Sequence, residues 1–284
     1  MNRKTKEGIV WQPKLAYAIW SWGVKTPEQM VTGMRDVRDA GFRYFESISA
    51  AVEMFRGTLD ELKAIVDREQ VFPVSFYFHQ SGNLAQDVQR VRSAVDFLTA
   101  FEVKTITVQA MMKKGGGATQ EELDLTVRTI EETAKVVNPC GIFPCLHPHT
   151  NTLVMYENEI DYILQRTDPH CVGFAPDTAH LLAGNCDPVA VIRRYADRVK
   201  FVHLKDVKKG KKLETVKGAE MEVEVFSDFL ELGAGDVDLV GCLRVLKGAG
   251  YDGYLCVELD RPPRSHRESA FANKAYLDRT LPKI

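Results

Sequence analysis

Apolar, strand-like runs alternate with amphipathic segments of helical length from one end of the chain to the other. Such alternation is typical of strands that are buried in a parallel sheet and joined by helices. The pattern predicts eight strands: Leu15–Trp20, Arg43–Ser47, Val74–Phe78, Thr105–Ala110, Ile142–His147, Val172–Asp177, Lys200–Leu204 and Tyr254–Leu259.

Several of the helical segments carry capping signals at their ends. A threonine stands three positions before a glutamine or glutamate, the spacing of a capping box, in three of them: Thr26 with Gln29, Thr58 with Glu61, and Thr119 with Glu122. Asp187-Pro188 is expected to cap a helix that ends near Arg198. Ala40-Gly41 and Gly248-Ala249-Gly250 mark helix ends that lead directly into a strand.

Eight strand–helix units predict an α/β protein of the (β/α)8 TIM barrel type, because right-handed crossovers place every helix outside the sheet. The turn after the first strand reads SWGVKTPEQ and lacks the GxGxxG of a dinucleotide-binding fold. No linker divides the chain, so we expect residues 1–284 to form one domain. The segment Lys208–Gly235 is longer than a usual loop and is either a solvated loop or a lid.

Composition indicates a soluble protein that does not bind polyanions. Hydrophobic residues make up 45% of the chain, and 37 basic residues against 39 acidic ones give a net charge of −2. This balance argues against a nucleic-acid partner. The start lacks the apolar core of a signal peptide and no run approaches the ~20 apolar residues of a membrane span, so we expect a cytoplasmic protein with no membrane partner. The six cysteines lack CxxC spacing and are expected to be free thiols. A homo-oligomer is compatible with the sequence.

Metal-binding side chains end four consecutive predicted strands. Barrel enzymes carry their chemistry at the carboxyl ends of the strands, so these side chains can converge on one point. The set comprises His147, Asp177, His203 and Glu258. Two imidazoles and two carboxylates suit manganese, cobalt, iron or zinc. The alternative is that these groups only bond one another or the backbone.

The carboxyl-terminal half resembles a known superfamily. The motifs are DTAH at 177–180, FVHLKD at 201–206, GYDGYLCVELD at 250–260, HPH-x-x-T at 147–152 and ELGAGDVDL at 231–239. From Cys140 to Arg264 they are similar to the xylose-isomerase-like (AP endonuclease 2 type) TIM-barrel superfamily, and most similar to its inosose (2-keto-myo-inositol) dehydratase-like members. The resemblance implies that Asp177, His203 and Glu258 bind a metal and that His180 contacts a substrate oxygen.

The resemblance also implies an activity. It points to a divalent-metal-dependent lyase that removes water from a small keto-inositol or keto-sugar through an enediolate, with Mn²⁺ favoured and Co²⁺, Mg²⁺, Fe²⁺ or Zn²⁺ as alternatives. A sugar or sugar-phosphate isomerase or epimerase, and a β-eliminating lyase on a 3-keto-glycoside, remain open. His147 stands where ketose epimerases have a glutamate, which favours dehydration.

We expect His180 and Glu258 to be catalytic, with Lys205 as an acid. Substrate-binding residues are expected at the strand ends and in the loops that follow them: Glu46, Gln109, His149, His180, Lys205 and Arg261.

Other features have two interpretations each. Arg261, Arg264 and Arg267 bind a phosphate or carboxylate, or begin a solvated helix. The segment 113–117 is a flexible loop or a phosphate cradle, although it lacks the GK[ST] ending. Three aromatic residues stack on a sugar or belong to the core: Trp20, Trp22 and Phe78. A DNA-repair endonuclease and a non-catalytic sugar-binding barrel are the alternatives from other functional classes.

Overall fold

Eight parallel strands form a barrel in this computed structural model, which describes residues 11–113, 117–210, 214–215, 224–225 and 229–284. The barrel strands are β1 (Lys14–Ala18), β2 (Tyr44–Ile48), β3 (Phe72–His79), β4 (Thr105–Gln109), β5 (Phe143–His147), β6 (Gly173–Phe174), β7 (Phe201–Leu204) and β12 (Tyr254–Val257). They pair in the order β6-β5-β4-β3-β2-β1-β12-β7. Parallel bridges Phe174–Val199 and Asp177–His203 join the two ends of this sheet. The predicted TIM barrel is confirmed, with strand ends that differ by a few residues.

Helices follow the strands around the outside of the barrel. They are α1 (Pro27–Asp39), α2 (Ser49–Phe55), α3 (Leu59–Glu69), α4 (Leu84–Arg92), α5 (Val95–Ala100), α6 (Gln120–Val137), α7 (Glu157–Arg166), α8 (Thr178–Ala183), α9 (Pro188–Arg194), α10 (Leu239–Gly248) and α11 (His266–Thr280). Within the residues described above, no helix is long and apolar enough to cross a membrane.

Two of the three predicted capping boxes are present. The side chains of Thr26 and Thr119 each accept the backbone N–H three residues on, and that residue's side chain bonds back. The third is wrong: Thr58 precedes α3, but its side chain caps nothing, since its backbone (φ −137°, ψ 46°) is not extended like that of the other two. Asp187 caps α9 as predicted, but the helix ends at Arg194 and a separate 3-10 turn follows at Ala196–Arg198.

Four short strands belong to the long segment after β7. They are β8 (Asp206–Val207), β9 (Glu214–Thr215), β10 (Glu224–Val225) and β11 (Phe229–Leu230), and they form antiparallel pairs β8·β11 and β9·β10. Half of the segment Lys208–Gly235, predicted as a solvated loop or a lid, lies outside the described residues: 211–213, 216–223 and 226–228.

The carboxylate of Asp206 holds the end of this segment in place. It accepts backbone N–H groups from Gly233, Gly235 and Val237 as well as from Val207. A Cβ on Gly235 would lie 2.0 Å from Asp206 Oδ1, so this close approach requires glycine.

The apolar core has two parts. A large cluster lies between strands and helices. A small one contains only residues in or next to barrel strands: Ala16, Ala18, Val74, Cys145, Ala175, Phe201 and Cys256. All six cysteines are free, as expected, and four are buried. Polar residues at the carboxyl ends of the strands, such as His147, Asp177 and His203, are buried as well, and burial strengthens the electrostatic interactions between them.

Candidate functional site

Four side chains from adjacent strands converge at the carboxyl end of the barrel, as the sequence predicted. One donor atom from each lies within 4.8 Å of the others, and all four residues are buried: His147, Asp177, His203 and Glu258. Each also carries a buried atom for which the described residues offer no aligned hydrogen-bond partner: Nε2, Oδ2, Nδ1 and Oε2, respectively. Buried polar atoms are rarely left unpaired. Two nitrogens and two oxygens that face one another fit a divalent metal ion.

The remaining polar atom of each candidate ligand is held by the protein. His147 Nδ1 donates to the carbonyl oxygen of Ala175 at 3.2 Å, which leaves the lone pair on Nε2. Burial, and then the neighbouring His203, lowers the pKa of His147 well below its usual value. The ring is therefore neutral at pH 7, as a metal ligand must be.

Asp177 caps a helix with one carboxylate oxygen and turns the other toward the remaining candidate ligands. Its Oδ1 accepts the backbone N–H groups of Ala179 and His180, both at 2.8 Å, at the start of α8. This arrangement turns Oδ2 toward the other candidate ligands. Burial raises the pKa of Asp177 to about 7, and a cation beside Oδ2 would favour the charged form.

Glu46 orients His203 from inside the barrel. His203 Nε2 donates to Glu46 Oε2 at 2.5 Å, which leaves Nδ1 facing the metal point, the position that the four donor atoms surround. Burial lowers the pKa of His203, but Glu46 and Glu258 outweigh it and raise that pKa well above its usual value, so a metal would bind Nδ1 in place of a proton. Ser75 and Thr107 donate to the other oxygen of Glu46 at 2.8 Å and 2.5 Å. Glu46 is fully buried and both its oxygens have protein partners. The geometry therefore favours a supporting role for Glu46 over the expected contact with substrate.

A second group of potential ligands, Glu46, His203 and Cys256, overlaps the first one. Donor atoms bound about 2.0–2.2 Å from one cation lie roughly 3 Å or more apart. The 2.5 Å between Glu46 and His203 is too short for that and fits a hydrogen bond. In contrast, His203 Nδ1 and Glu258 Oε2 lie 2.9 Å apart without hydrogen-bond alignment, which fits two ligands of one ion. The metal point therefore lies on the Nδ1 side of His203.

Glu258 divides its oxygens between this point and Lys205. Lys205 Nζ lies 2.5 Å from Glu258 Oε1 and 2.6 Å from Asp260 Oδ2, and the lysine is fully buried. Burial raises the pKa of Glu258, but Lys205 and His203 outweigh it and hold that pKa well below its usual value. Burial opposes the charge of Lys205, but Asp260 and Glu258 raise its pKa. Lys205 is therefore a cation at pH 7.

Two stacked histidines, His149 and His180, stand beside the metal point with opposite tautomers. Their ring centroids are 3.8 Å apart. The backbone N–H of Thr150 donates to His180 Nδ1 at 3.2 Å, which places the proton of His180 on Nε2. The carbonyl oxygen of Thr150 instead accepts from His149 Nδ1 at 2.7 Å, which leaves the lone pair of His149 on Nε2. One residue therefore makes His180 a donor and His149 an acceptor.

Burial keeps both of these rings neutral. It lowers the pKa of His149 to about 3, with Lys205 contributing, and it lowers that of His180 well below the usual value, with His149 contributing. Lys205 Nζ is 3.3 Å from His180 Nε2. Because Nε2 carries the ring proton and a charged lysine can only donate, this contact is a close approach of two donors and not a hydrogen bond.

Aromatic residues surround the site, and the sequence predicted only one of them. Tyr77 donates to Gln109 Oε1 at 2.7 Å, and its ring contacts His147 and His203. Trp20 meets the rings of Tyr77 and His203 edge-on and also packs against the small core cluster, so stacking on a sugar and a place in the core both stay open for it. Phe229 packs against His180. Tyr77, Phe229 and Asp260 were not predicted as site residues.

The other two aromatic candidates lie elsewhere. Phe78 belongs to the cluster between strands and helices, since it alternates with the inward-facing Tyr77. Trp22 packs in the same outer layer and donates to Asp36 at 2.8 Å. Both fit the core interpretation.

The arginines after β12 form no anion site with one another. Arg264 pairs with Glu231 at 2.9 Å, and Arg267 pairs with Asp36 and Asp39. Arg261 is exposed on the same loop. The geometry therefore favours the solvated-helix interpretation for Arg264 and Arg267. Of the segment 113–117, residues 114–116 lie outside the described part of the chain.

Comparison with known proteins identifies the family. Residues 34–276 match the family described as xylose isomerase-like TIM barrel. The chain belongs to this family. An inosose dehydratase from Geobacillus kaustophilus (strain HTA426) is 32% identical over 168 residues, 57% of this chain and 54% of that protein. One from Clostridium perfringens (strain 13 / Type A) is 31% identical over 198 residues, 63% and 65% of the two chains. The matched regions thus span about half to two thirds of these relatives, and both are named as enzymes.

Solved structures share the fold across nearly the whole chain. A structure of the IolI protein with a bound zinc atom has a TM-score of 0.75 at 16% identity, and the superposition covers 95% of this chain and 98% of the IolI chain. The probable 3-DHS dehydratase AsbF from Bacillus anthracis has a TM-score of 0.73 at 15% identity and covers 93% and 98%. At these identities the likeness establishes the fold and nothing finer.

Proposed function

We propose that this chain is a divalent-metal-dependent lyase that removes water from a keto-inositol or a keto-sugar. The observation that carries the proposal is the set of four buried, mutually facing donor atoms on His147, Asp177, His203 and Glu258. The dehydratase names of the curated relatives support the reaction class. Mn²⁺ remains the favoured ion, and the zinc in a structural neighbour keeps Zn²⁺ as the main alternative.

The metal would supply Lewis-acid polarisation of a substrate carbonyl and its neighbouring hydroxyl, which acidifies the adjacent C–H. His149 is the proton acceptor in this proposal, because its Nε2 carries a lone pair and its ring is neutral. His180 donates a hydrogen bond from Nε2 to the oxygen on which negative charge develops. This assigns His180 the role of a hydrogen-bond donor and His149 the role of the base.

Lys205 serves the departing hydroxyl group. Its buried ammonium stays charged and donates a hydrogen bond to that oxygen as the C–O bond breaks. The proton taken from carbon by His149 then leaves with the hydroxide as water, so that a C=C bond replaces the C–H and C–OH bonds. Glu258 contributes Oε2 to the metal point and holds Lys205 with Oε1.

His147 argues against epimerisation. An epimerase returns a proton to the opposite face of the same carbon, which requires a second proton carrier there. His147 Nδ1–H is bonded to Ala175 and its Nε2 faces the metal point, so neither nitrogen can relay a proton. Gln109, with its side chain beside Tyr77, and the exposed Arg261 remain proposed substrate contacts.

Incubation with 2-keto-myo-inositol and Mn²⁺ tests the proposal. We expect an ultraviolet-absorbing dione together with the loss of one water from the product mass. His149→Gln should lower kcat by about 10²–10⁴-fold with metal content unchanged. Asp177→Asn should lose the metal as well as the activity.

A product of unchanged mass that gains deuterium from solvent would replace the dehydratase with an isomerase or epimerase. Absence of dione, with elimination from a 3-keto-glycoside instead, would retain the lyase and replace the substrate. Full metal content with no turnover of any of these compounds would contradict the proposal.

A further inference from the structure

The ammonium group of Lys205 is surrounded by groups from three parts of the chain. Glu258 and Asp260 follow β12 and lie 2.5 Å and 2.6 Å from Nζ. His180 from α8 lies at 3.3 Å, and the ring centroid of Phe229 in β11 lies at 4.2 Å. Lysine has four rotatable side-chain bonds, so its position depends on these partners.

The two carboxylates differ in what else they do. Glu258 Oε2 faces the metal point, so Glu258 has one oxygen left for Lys205. Asp260 is not one of the four residues whose donor atoms converge at the metal point, and its Oδ1 lies 3.5 Å from the indole nitrogen of Trp20. Trp20 follows β1, the neighbour of β12 in the barrel. Asp260 is therefore tied to Lys205 on one side and to the rim of the barrel on the other.

Exposure places Asp260 nearest the solvent among these three charged groups. Its side chain is 21% exposed, whereas those of Lys205 and Glu258 are 0% and 4% exposed. The ammonium thus lies between a buried carboxylate that is shared with the metal point and an outer carboxylate that is not. Without the outer one, the buried cation would lose one of the two carboxylates within 2.6 Å and would depend more on Glu258, which would also be needed by the metal.

We propose that Asp260 is a positioning residue that holds the Lys205 ammonium toward the substrate and lets Glu258 turn its other oxygen to the metal. The assignment rests on the proposed function for the role of Lys205, but the position of the ammonium can be measured without any substrate. Asp260 acts through Lys205 and takes no part in bond making.

A double-mutant cycle of Asp260→Asn and Lys205→Met in the metal-loaded full chain tests this role. A lysine displaced by about 1 Å should cost up to roughly 100-fold in kcat/KM, so Asp260→Asn should lose about 30- to 100-fold. In the Lys205→Met background, Asp260→Asn should change kcat/KM by less than about twofold, because its partner is gone. A loss of similar size in both backgrounds would show that Asp260 meets the substrate itself and would overturn the proposal.

The matched control is Asp278→Asn, which also breaks a lysine–aspartate pair with a 2.6 Å contact, with Lys274 on the exposed side of α11. It should leave kcat/KM within about twofold of the unchanged enzyme, as surface pairs contribute little. An equal loss of kcat/KM in Asp278→Asn and Asp260→Asn would show that the change in net charge alone causes it, and would refute the positioning role.

A crystal structure of the Asp260→Asn variant provides the readout that needs no substrate. We expect Lys205 Nζ to move by about 1 Å or to occupy more than one position, because its ion pair with Asp260 is lost. An unmoved ammonium would overturn the proposal. If the unmodified enzyme turns over none of the keto compounds, the proposed function fails, and this structure still decides whether Asp260 positions Lys205.

Discussion

The contact between Glu46 and His203 yields the sharpest prediction for the metal centre. Glu46→Gln removes the negative charge that accepts the proton of His203 Nε2 at 2.5 Å. The new amide can face His203 with its NH₂ group, which would move the imidazole proton to Nδ1 and block the metal-binding atom. If it faces His203 with its oxygen, the tautomer is kept but the charge is lost. In both orientations Nδ1 becomes a poorer ligand.

The size of the effect follows from the linkage between metal binding and folding. Loss of a partner that orients a metal-bound histidine costs about 10- to 100-fold in metal affinity. A metal at ~100 times its Kd stabilises a protein by about 2.7 kcal/mol, and a ~30-fold weaker site leaves about 0.9 kcal/mol. For a chain of 284 residues the difference of about 2 kcal/mol corresponds to about 3 °C in Tm.

Two measurements on the same samples test this reasoning. Competition with a chelator gives the metal Kd, and thermal unfolding with and without metal gives the metal-dependent part of Tm. Ser75→Ala is the control, since it removes one donor to the other oxygen of Glu46 and leaves the histidine contact intact. Metal affinity in Glu46→Gln equal to that of Ser75→Ala and of the unchanged protein would refute the orienting role of Glu46.

Two further predictions concern the scaffold. The Glu69 side chain, buried against Arg35 and two other arginines, has a pKa lowered to about 2 by the hydrogen bond from Arg35. Its contribution is therefore full above the unfolded pKa near 4.5 and is lost as pH falls toward 2. Because Arg35 is 53% exposed, solvent weakens this pair, and we expect Glu69→Gln to lower the free energy of unfolding by about 1–2 kcal/mol at pH 7. Urea unfolding at a series of pH values should then show a smaller loss of stability below pH 4.5 in the variant. An equal loss in both proteins would contradict this. Thr26→Ala should lower the free energy of unfolding by about 1 kcal/mol and Thr58→Ala by less than about 0.5 kcal/mol, because of these two residues Thr26 caps its helix and Thr58 does not. Equal losses of stability in urea unfolding would show that the capping contact of Thr26 does not matter.

The sequence predicts the barrel and its four candidate ligands because both depend on local pattern and spacing. A strand end marks the active edge of a barrel, and metal-binding residue types at successive strand ends need no further information to be brought together. His147, Asp177, His203 and Glu258 could be found in this way. Their convergence is a consequence of topology, which the alternation of strands and helices already defines.

Side-chain orientation within a strand could be read only in part. In the strand at Phe72–His79, the polar residues Ser75, Tyr77 and His79 alternate with Phe76 and Phe78, and this alternation indicates that Tyr77 faces the site and Phe78 the helices. Glu46 shows where local pattern is insufficient. Its position at a strand end suggests a substrate contact, but its partner His203 lies 157 residues away, and only the closed barrel brings the two together.

Tautomers depend on still finer detail, and they determine the proposed chemistry. His149 and His180 are both buried histidines, and their residue types do not distinguish acid from base. The difference comes from Thr150, whose carbonyl oxygen accepts a proton from one ring and whose N–H donates to the other. A shift of the backbone at this residue would change which nitrogens carry lone pairs. The assignment of His149 as acceptor and His180 as donor therefore depends on the loop after β5 as much as on the histidines themselves.

The hydrogen bonds of the candidate ligands also bear on the proposed choice between elimination and epimerisation. Each candidate ligand has its second polar atom bound by the protein: His147 by a carbonyl, Asp177 by the start of α8, and His203 by Glu46. Groups held on both sides cannot also carry protons during turnover. The proposed reaction uses the two neighbouring histidines, His149 and His180, and Lys205 for that work. Elimination needs one base for the C–H proton and one cation for the departing oxygen, whereas epimerisation would need a second proton carrier. His147 is poorly suited to be that carrier, because its Nδ1 is bonded to Ala175 and its Nε2 faces the other candidate ligands.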